Sequence, residues 1–230
     1  MRCLVTAGPT FEPLDEVRRL TNRSTGRLGA ELASFLTARG HEVVLLVGEQ
    51  ATWPGPRRAA RVATFTTAAD LRQRLRALAG EAVRAVFHAA AVSDFAFGKT
   101  WLWSADRQLT EVQAGKLPSR AKALLAELVA TPKIIAELRD WFPGAKLVGW
   151  KYEVDGSRAE VLRLAEKQIA ECRTDACVAN GPAYGDGFGL VRRGGECRHV
   201  QGARPLFQAL EELMRETVGT ASVRRYRRTI

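Results

Sequence analysis

RCLVTAGPTFEPLDEVRRLTNRSTGRLGAELASFLTARGHEVVLLV, residues 2–47, sets the fold. It opens on a short apolar run, residues 2–7, that stops at Gly8-Pro9 and predicts a first strand and its turn. Leu28, Leu32, Phe35 and Leu36 then recur at helical spacing within 26–39, and Gly40 ends the helix. From His41 to Val47 the chain is almost continuously apolar, as a strand covered on both faces must be. Strand, helix and buried strand together make one turn of a parallel α/β layer.

The rhythm continues outward. Arg61–Thr66 predicts a strand, and Ala68–Leu78, with leucine at 71, 75 and 78, an amphipathic helix. Val83–Ala91 reads as a third buried strand. Thr131-Pro132 looks like an N-cap followed by proline at the first helical position, opening a helix to about Trp141. Strands follow at Leu147–Trp150 and Asp175–Ala179, with helices at 157–172 and 206–214. The expected fold is α/β: a Rossmann-like three-layer sandwich on a mostly parallel sheet with right-handed crossovers. Ligands in such sheets sit beyond the carboxyl ends of the strands, so the loops after Gly8, Gly48 and Ala91 are where chemistry is expected.

Residues 96 to about 118 break the pattern, with Trp101, Trp103, Gln108 and Gly115 but no helical period. They predict a long flap or strap excursion, with a hairpin within it, that returns to the domain by about 130. A single domain over residues 1–230 is expected, ending in a basic tail at about 220–230. The chain carries 35 Lys and Arg against 25 Asp and Glu, a formal charge of +10, which favours anionic ligands. No apolar run reaches the roughly 18 residues of a membrane span, and the N-terminal run is too short for a signal peptide. A cytoplasmic protein is expected. The cysteines at 3, 172, 177 and 197 form no CxxC pair and the three histidines are scattered, so neither a zinc site nor a disulfide framework is expected.

Four stretches carry chemistry-bearing residues. In residues 6–29, Gly8 and Thr10 follow the first strand, Ser24 or Thr25 is placed to cap the helix, and Gly26 and Gly29 let a phosphate or another backbone approach closely. The stretch matches neither the dinucleotide fingerprint nor the P-loop, and a well-capped polar connection would read the same way. In His88–Phe95, small residues at a strand end leave room for a ligand. Asp94 there suits a magnesium ion or a ribose hydroxyl, or else caps its own turn. Lys116, in the flap, is either a phosphate clamp or a solvated loop lysine. Asn180 sits where a strand end meets a glycine-rich loop, a position that also suits an ordinary turn asparagine.

These stretches, in this order, resemble the phosphopantothenoylcysteine synthetase (phosphopantothenate–cysteine ligase) family. Its first signature is matched by Thr10, Glu12, Pro13, Leu14, Asp15, Val17, Arg18, Leu20, Thr21, Asn22, Ser24, Thr25, Gly26, Leu28 and Gly29. Ala90–Phe95 fits a second pattern, Lys116 the flap lysine, Thr131-Pro132 a helix opening, Val148–Glu153 a further pattern with Trp150 in place of phenylalanine, and Ala179-Asn180 the last.

The resemblance implies a ligase of coenzyme A synthesis. The carboxylate of 4′-phosphopantothenate takes the nucleotidyl group of CTP or ATP, and cysteine then displaces the nucleoside monophosphate. It implies Lys116 on phosphate charge, Asn22 on the pantothenate and acyl group with Arg18 in support, and Ala90 and Ala91 as backbone contacts. Asp94, Trp150 and Asn180 fall on the nucleotide side. Magnesium would be bridged by the triphosphate rather than held by protein ligands. Flavin is not expected, and neither is the decarboxylase domain often fused ahead of this module. The implied partners are small molecules and a second copy of the chain in a homodimer; neither nucleic acid nor membrane is implied.

The chain departs from the pattern at Gly181, where aspartate is usual, at Lys151 and Tyr152, and in the segment around Phe188. Its flap is also longer. Readings that compete are a paralogue using another nucleotide or amine, a basic nucleic-acid-binding module, and a nicotinamide-dependent reductase. The missing glycine fingerprint and the absent Tyr-x-x-x-Lys pair speak against the last.

Overall fold

The structure, a computed structural model, describes residues 1–104, 108–118 and 123–216. The basic tail, Arg120 and Lys122 lie outside the described residues.

The central apolar runs become a sheet because helices pack against both of its faces. The strands are β1 (Arg2–Ala7), β4 (Glu42–Gly48), β5 (Arg61–Phe65), β6 (Ala85–His88), β10 (Lys146–Tyr152), β11 (Ala176–Asn180), β12 (Phe188–Arg192) and β13 (Cys197–Val200), in the order β13-β12-β11-β10-β6-β1-β4-β5. From β11 to β5 every pairing is parallel, and β12 and β13 add an antiparallel hairpin at one edge. Along β1 the side chains alternate. Cys3, Val5 and Ala7 pack with Leu32, Ala33 and Leu36 of α1 (Arg27–Ala38) and with Leu206 and Leu210 of α5 (Ala203–Arg215). Leu4 faces the other way, toward Leu71 and Leu75 of α2 (Ala68–Ala77) and Leu138 of α3 (Ile134–Trp141). Helix α4 (Arg158–Cys172) covers β11 through Val161, Ala165 and Ile169. Its start is held by a capping box in which Ser157 and Glu160 satisfy each other's backbone N–H groups.

The expected α/β architecture is therefore present, with four local corrections. The third strand spans only Ala85–His88, because residues 89–91 leave the sheet to pair with the loop after β1. Helix α3 opens at Ile134 with Lys133 as its N-cap; the Thr131 hydroxyl instead donates to the Ser93 carbonyl at 2.6 Å. The glycine-rich stretch after Asn180 leads into the β12–β13 hairpin, which periodicity did not reveal because its strands are short and broken by Gly189. Between β1 and α1 stands a small ribbon, β2 (Phe11–Pro13) paired antiparallel with β3 (Arg19–Thr21), also unforeseen.

The flap is a separate three-stranded antiparallel sheet, with β7 (Phe95–Trp103) between β8 (Leu109–Glu111) and β9 (Ala123–Ala130). The expected hairpin is thus present. A register shift between Phe97 and Thr100 bends the central strand.

Candidate active site

The carboxyl ends of β1 and β6 are joined beyond the sheet by a lattice of hydrogen bonds. Ala91 N–H donates to the Gly8 carbonyl at 3.0 Å, and Thr10 N–H donates to the Ala91 carbonyl at 3.1 Å. The same Ala91 oxygen accepts from Asn22 Nδ2 at 3.2 Å, using its second lone pair. The Thr10 hydroxyl accepts from Ser93 N–H at 2.8 Å and donates to Ser93 Oγ at 2.9 Å. Thr21 Oγ1 donates to the Thr10 carbonyl at 2.9 Å. Gly8, Thr10, Asn22 and Ala91, far apart in sequence, are thus bonded neighbours at the rim. Ser93 and Thr6 complete the lattice and were passed over in the sequence reading. Small hydroxyl residues at strand ends carry no local signal of a cross-loop role.

Thr6 Oγ1 accepts from Ala90 N–H at 3.1 Å and lies 3.0 Å from His88 Nδ1. Burial pushes the His88 imidazole down from its ordinary 6.5 to about 4. A histidine lowered in the fold stays neutral while the unfolded chain takes up a proton. Stability is therefore lost as pH falls from about 6.5 toward about 4. In urea melts, the wild type is expected to lose about 1–3 kcal/mol more between pH 7 and pH 4 than His88→Gln does. Equal losses would show that His88 does not carry the difference.

Helix α1 begins differently from the expectation. Its N-cap is Gly26, in the left-handed region at φ 76°. Thr25, one residue earlier, accepts the first helical N–H, that of Arg27, at 3.3 Å. The close approach that Gly26 and Gly29 were expected to allow is made by the chain itself. A Cβ on Gly26 would lie 3.0 Å from Ala51 Cβ and 3.2 Å from Gly8 Cα, and one on Gly29 would lie 2.6 Å from Ala7 Cβ.

Two cavities open along the rim. One of about 510 Å³ is lined by His88, Ala90, Ser93, Asp94 and Trp150, by the amino end of α3, and by Lys133, Lys151 and Lys167. Lys133 and Lys167 both lie 3.7 Å from Glu171, and the volume suits a ligand of nucleotide size. The Lys151 ammonium lies 2.9 Å from Glu153. Trp150 Nε1 is buried without a partner among the described residues. The second cavity, about 690 Å³, is lined by Tyr152, Asn180, Gly181, Asp186, Phe188 and Gln201. Asn180 Oδ1 is likewise buried without a partner among the described residues. At Gly181 the backbone is left-handed, φ 111°, and a Cβ would stand 2.4 Å from the Glu153 carbonyl oxygen. The aspartate usual in the resembled pattern does not fit this backbone. Gly181 is thus a conformational requirement here as well as a lost carboxylate.

Of the remaining expected residues, Arg18 and Lys116 lie together but away from these cavities. Arg18 Nη1 donates to Asp15 Oδ2 at 2.8 Å and to the Leu117 carbonyl at 3.2 Å, beside exposed Lys116. Neither cavity is lined by Gly8, Thr10, Arg18, Asn22, Ser24, Thr25, Gly26, Ala91 or Lys116. The lattice links the two groups, since Ala91 bonds Asn22 and its neighbour Ala90 lines the first cavity. Among the described residues no group of three or more His, Cys, Asp or Glu side chains is placed to hold a metal ion. No described helix is long and apolar enough to cross a membrane.

Comparison with known proteins bears on this arrangement. The bifunctional coenzyme A biosynthesis protein CoaBC of Thermococcus kodakarensis is 34% identical over 180 residues, which are 78% of this chain and 41% of that protein. CoaBC of Bacillus subtilis is 32% identical over 187 residues, 81% of this chain and 42% of that protein. The chain therefore spans less than half the length of these relatives. Among solved structures, the DNA/pantothenate metabolism flavoprotein from Streptococcus pneumoniae superposes with a TM-score of 0.80 at 26% identity, covering 92% of this chain and 97% of that one. Residues 1–194 match a single family profile, so the resemblance drawn from the Thr10–Gly29 signature holds, and the chain belongs to the DNA/pantothenate metabolism flavoprotein C-terminal domain family.

Proposed function

We propose that this chain joins 4′-phosphopantothenate to cysteine in coenzyme A synthesis. In the first step a carboxylate oxygen of phosphopantothenate attacks the α-phosphorus of a nucleoside triphosphate. Pyrophosphate leaves and an acyl-nucleotide remains. In the second, the cysteine amine attacks the acyl carbon, the amide forms, and the nucleoside monophosphate and a proton leave. Both steps concentrate negative charge, so they call for fixed donors and cations rather than for an oxidant or a flavin.

The observation that carries this reading is the Ala91 carbonyl, which joins Asn22 of the signature segment to the strand end whose Ala90 and Asp94 line the lysine-bearing cavity. The nucleotide is assigned to that cavity, with Asp94 toward the ribose and Ala90 and Trp150 beside the base; Ala91, whose N–H and carbonyl are already bonded, supports that wall, and Asn180 lines the neighbouring cavity. The acyl group is assigned to the Asn22 side, next to Gly8, Thr10 and the Ser24–Gly26 turn. Lys116, which lines neither cavity, is assigned to the phosphate charge that extends from that cavity toward the Asn22 segment, with Arg18 on the same flank. Magnesium enters with the triphosphate.

A homodimer is part of the proposal. Leu125 and Val129, on one face of β9, are 40% and 47% exposed, and a second copy would bury them. The cytoplasm is the compartment where these substrates would be met.

Pyrophosphate release with phosphopantothenate, cysteine and either CTP or ATP tests the reading. Turnover is expected with at least one nucleotide and none without phosphopantothenate. No turnover with either nucleotide would overturn it. Unequal turnover would identify the base.

A further inference from the structure

The ribbon β2–β3 is more than a polar connection, because its two ends do different things. At its base, Asn22 donates to Ala91. At its tip, residues 14–18 form a turn built around one carboxylate. Asp15 Oδ1 accepts the N–H groups of Val17 at 2.9 Å and Arg18 at 2.7 Å. Asp15 Oδ2 accepts Arg18 Nη1 at 2.8 Å and, from the flap, Leu117 N–H at 3.0 Å. Two further bonds cross between turn and flap: Arg18 Nη1 to the Leu117 carbonyl at 3.2 Å, and Glu16 N–H to the Gly115 carbonyl at 2.9 Å. Leu117 is buried, 2% exposed, although it lies in a loop. A Cβ on Gly115 would stand 2.9 Å from Glu16 Oε1, so the flap backbone lies directly on the turn. Lys116, between the two docked residues, is exposed.

We propose that Asp15 is a positioning residue that latches the Gly115–Leu117 segment of the flap, and with it Lys116, onto the ribbon that ends in Asn22. The carboxylate is the keystone because it collects four donors, two from its own turn, one from Arg18 and one from the flap. Its side chain is fully covered. The N–H of Leu117 first, then those of Val17 and Arg18 and the Arg18 guanidinium, hold its pKa below the ordinary carboxylate range. It therefore stays ionised, and the latch stays closed, throughout neutral pH. On this account Arg18 also acts through position: the group it holds is the flap backbone. The consequence for chemistry rests on the role proposed above for Lys116; the latch itself does not.

Two readouts on the full chain separate the two. The first is hydrogen exchange in the peptide covering 112–118. Asp15→Ala is expected to speed it about tenfold or more, Asp15→Asn by less, because the amide keeps one acceptor oxygen. Exchange elsewhere in the sheet should be unchanged, which shows that the variants fold. The second is a double-mutant cycle on nucleotide consumption. If Asp15 acts by placing Lys116, Asp15→Ala combined with Lys116→Gln should be no slower than Lys116→Gln alone. Unchanged exchange at 112–118 in both Asp15 variants would overturn the latch. Faster exchange with fully additive rate losses would overturn the positioning role. If Lys116→Gln alone left the rate intact while exchange rose in Asp15→Ala, the latch would stand and the assignment of Lys116 would fall.

Discussion

Lys116→Gln is expected to slow pyrophosphate release by about 10²-fold, with little change in the overall fold. The side chain is exposed on a docked segment, so its removal opens no cavity and breaks none of the bonds that hold residues 115 and 117. What it removes is a full positive charge. As the carboxylate attacks phosphorus, negative charge gathers on the non-bridging oxygens and on departing pyrophosphate. A fixed ammonium is worth far more there than in water, since it needs no reorganisation at the moment of reaction. Glutamine keeps the length and a donor but not the charge. Single-turnover measurement of acyl-nucleotide formation is the decisive assay, because it isolates the first step. A variant within about twofold of wild type in that step would remove Lys116 from the phosphate.

Asn22→Asp should act on the other half-reaction. Asn22 Nδ2 donates to the Ala91 carbonyl at 3.2 Å; an aspartate there sets a carboxylate against that oxygen and adds a negative charge beside an anionic substrate. The acyl-nucleotide should still form, since the proposed phosphate contacts lie elsewhere. Its capture by cysteine should fall by about 10²-fold, and the intermediate should accumulate. Quenching the reaction and separating the acyl-nucleotide by chromatography would display it. Asn22→Ala, which removes the donor without adding charge, should lose less. Loss of acyl-nucleotide formation itself in Asn22→Ala would place the residue in the first step instead.

Much of this molecule was legible locally. The apolar runs of β1 and β4, the leucine spacing of α2, and the helix expected from residue 157 are properties of neighbouring residues, and they appear as expected. The errors fell where a distant partner outbid a local preference. Thr131 looked like a cap and instead reaches Ser93, thirty-eight residues away in sequence. The N-cap position went to Gly26, where the helix start passes close to Gly8 and Ala51, and left Thr25 one residue earlier to accept the Arg27 N–H. The β2–β3 ribbon, with strands of three residues each, is too short for any period to show.

By itself, the order of residues determined the α/β class, the run of the main strands and helices, and the family, because hydrophobic period and motif are written in contiguous stretches. Tertiary structure alone decided which loops meet. Placing β6 beside β1 brings residues 89–93 against residues 6–10 and 22, and folding the flap back brings Leu117 to Asp15. Hydrogen bonds between segments that are distant in the chain carry no periodic trace along it, and they form only where packing sets those segments side by side.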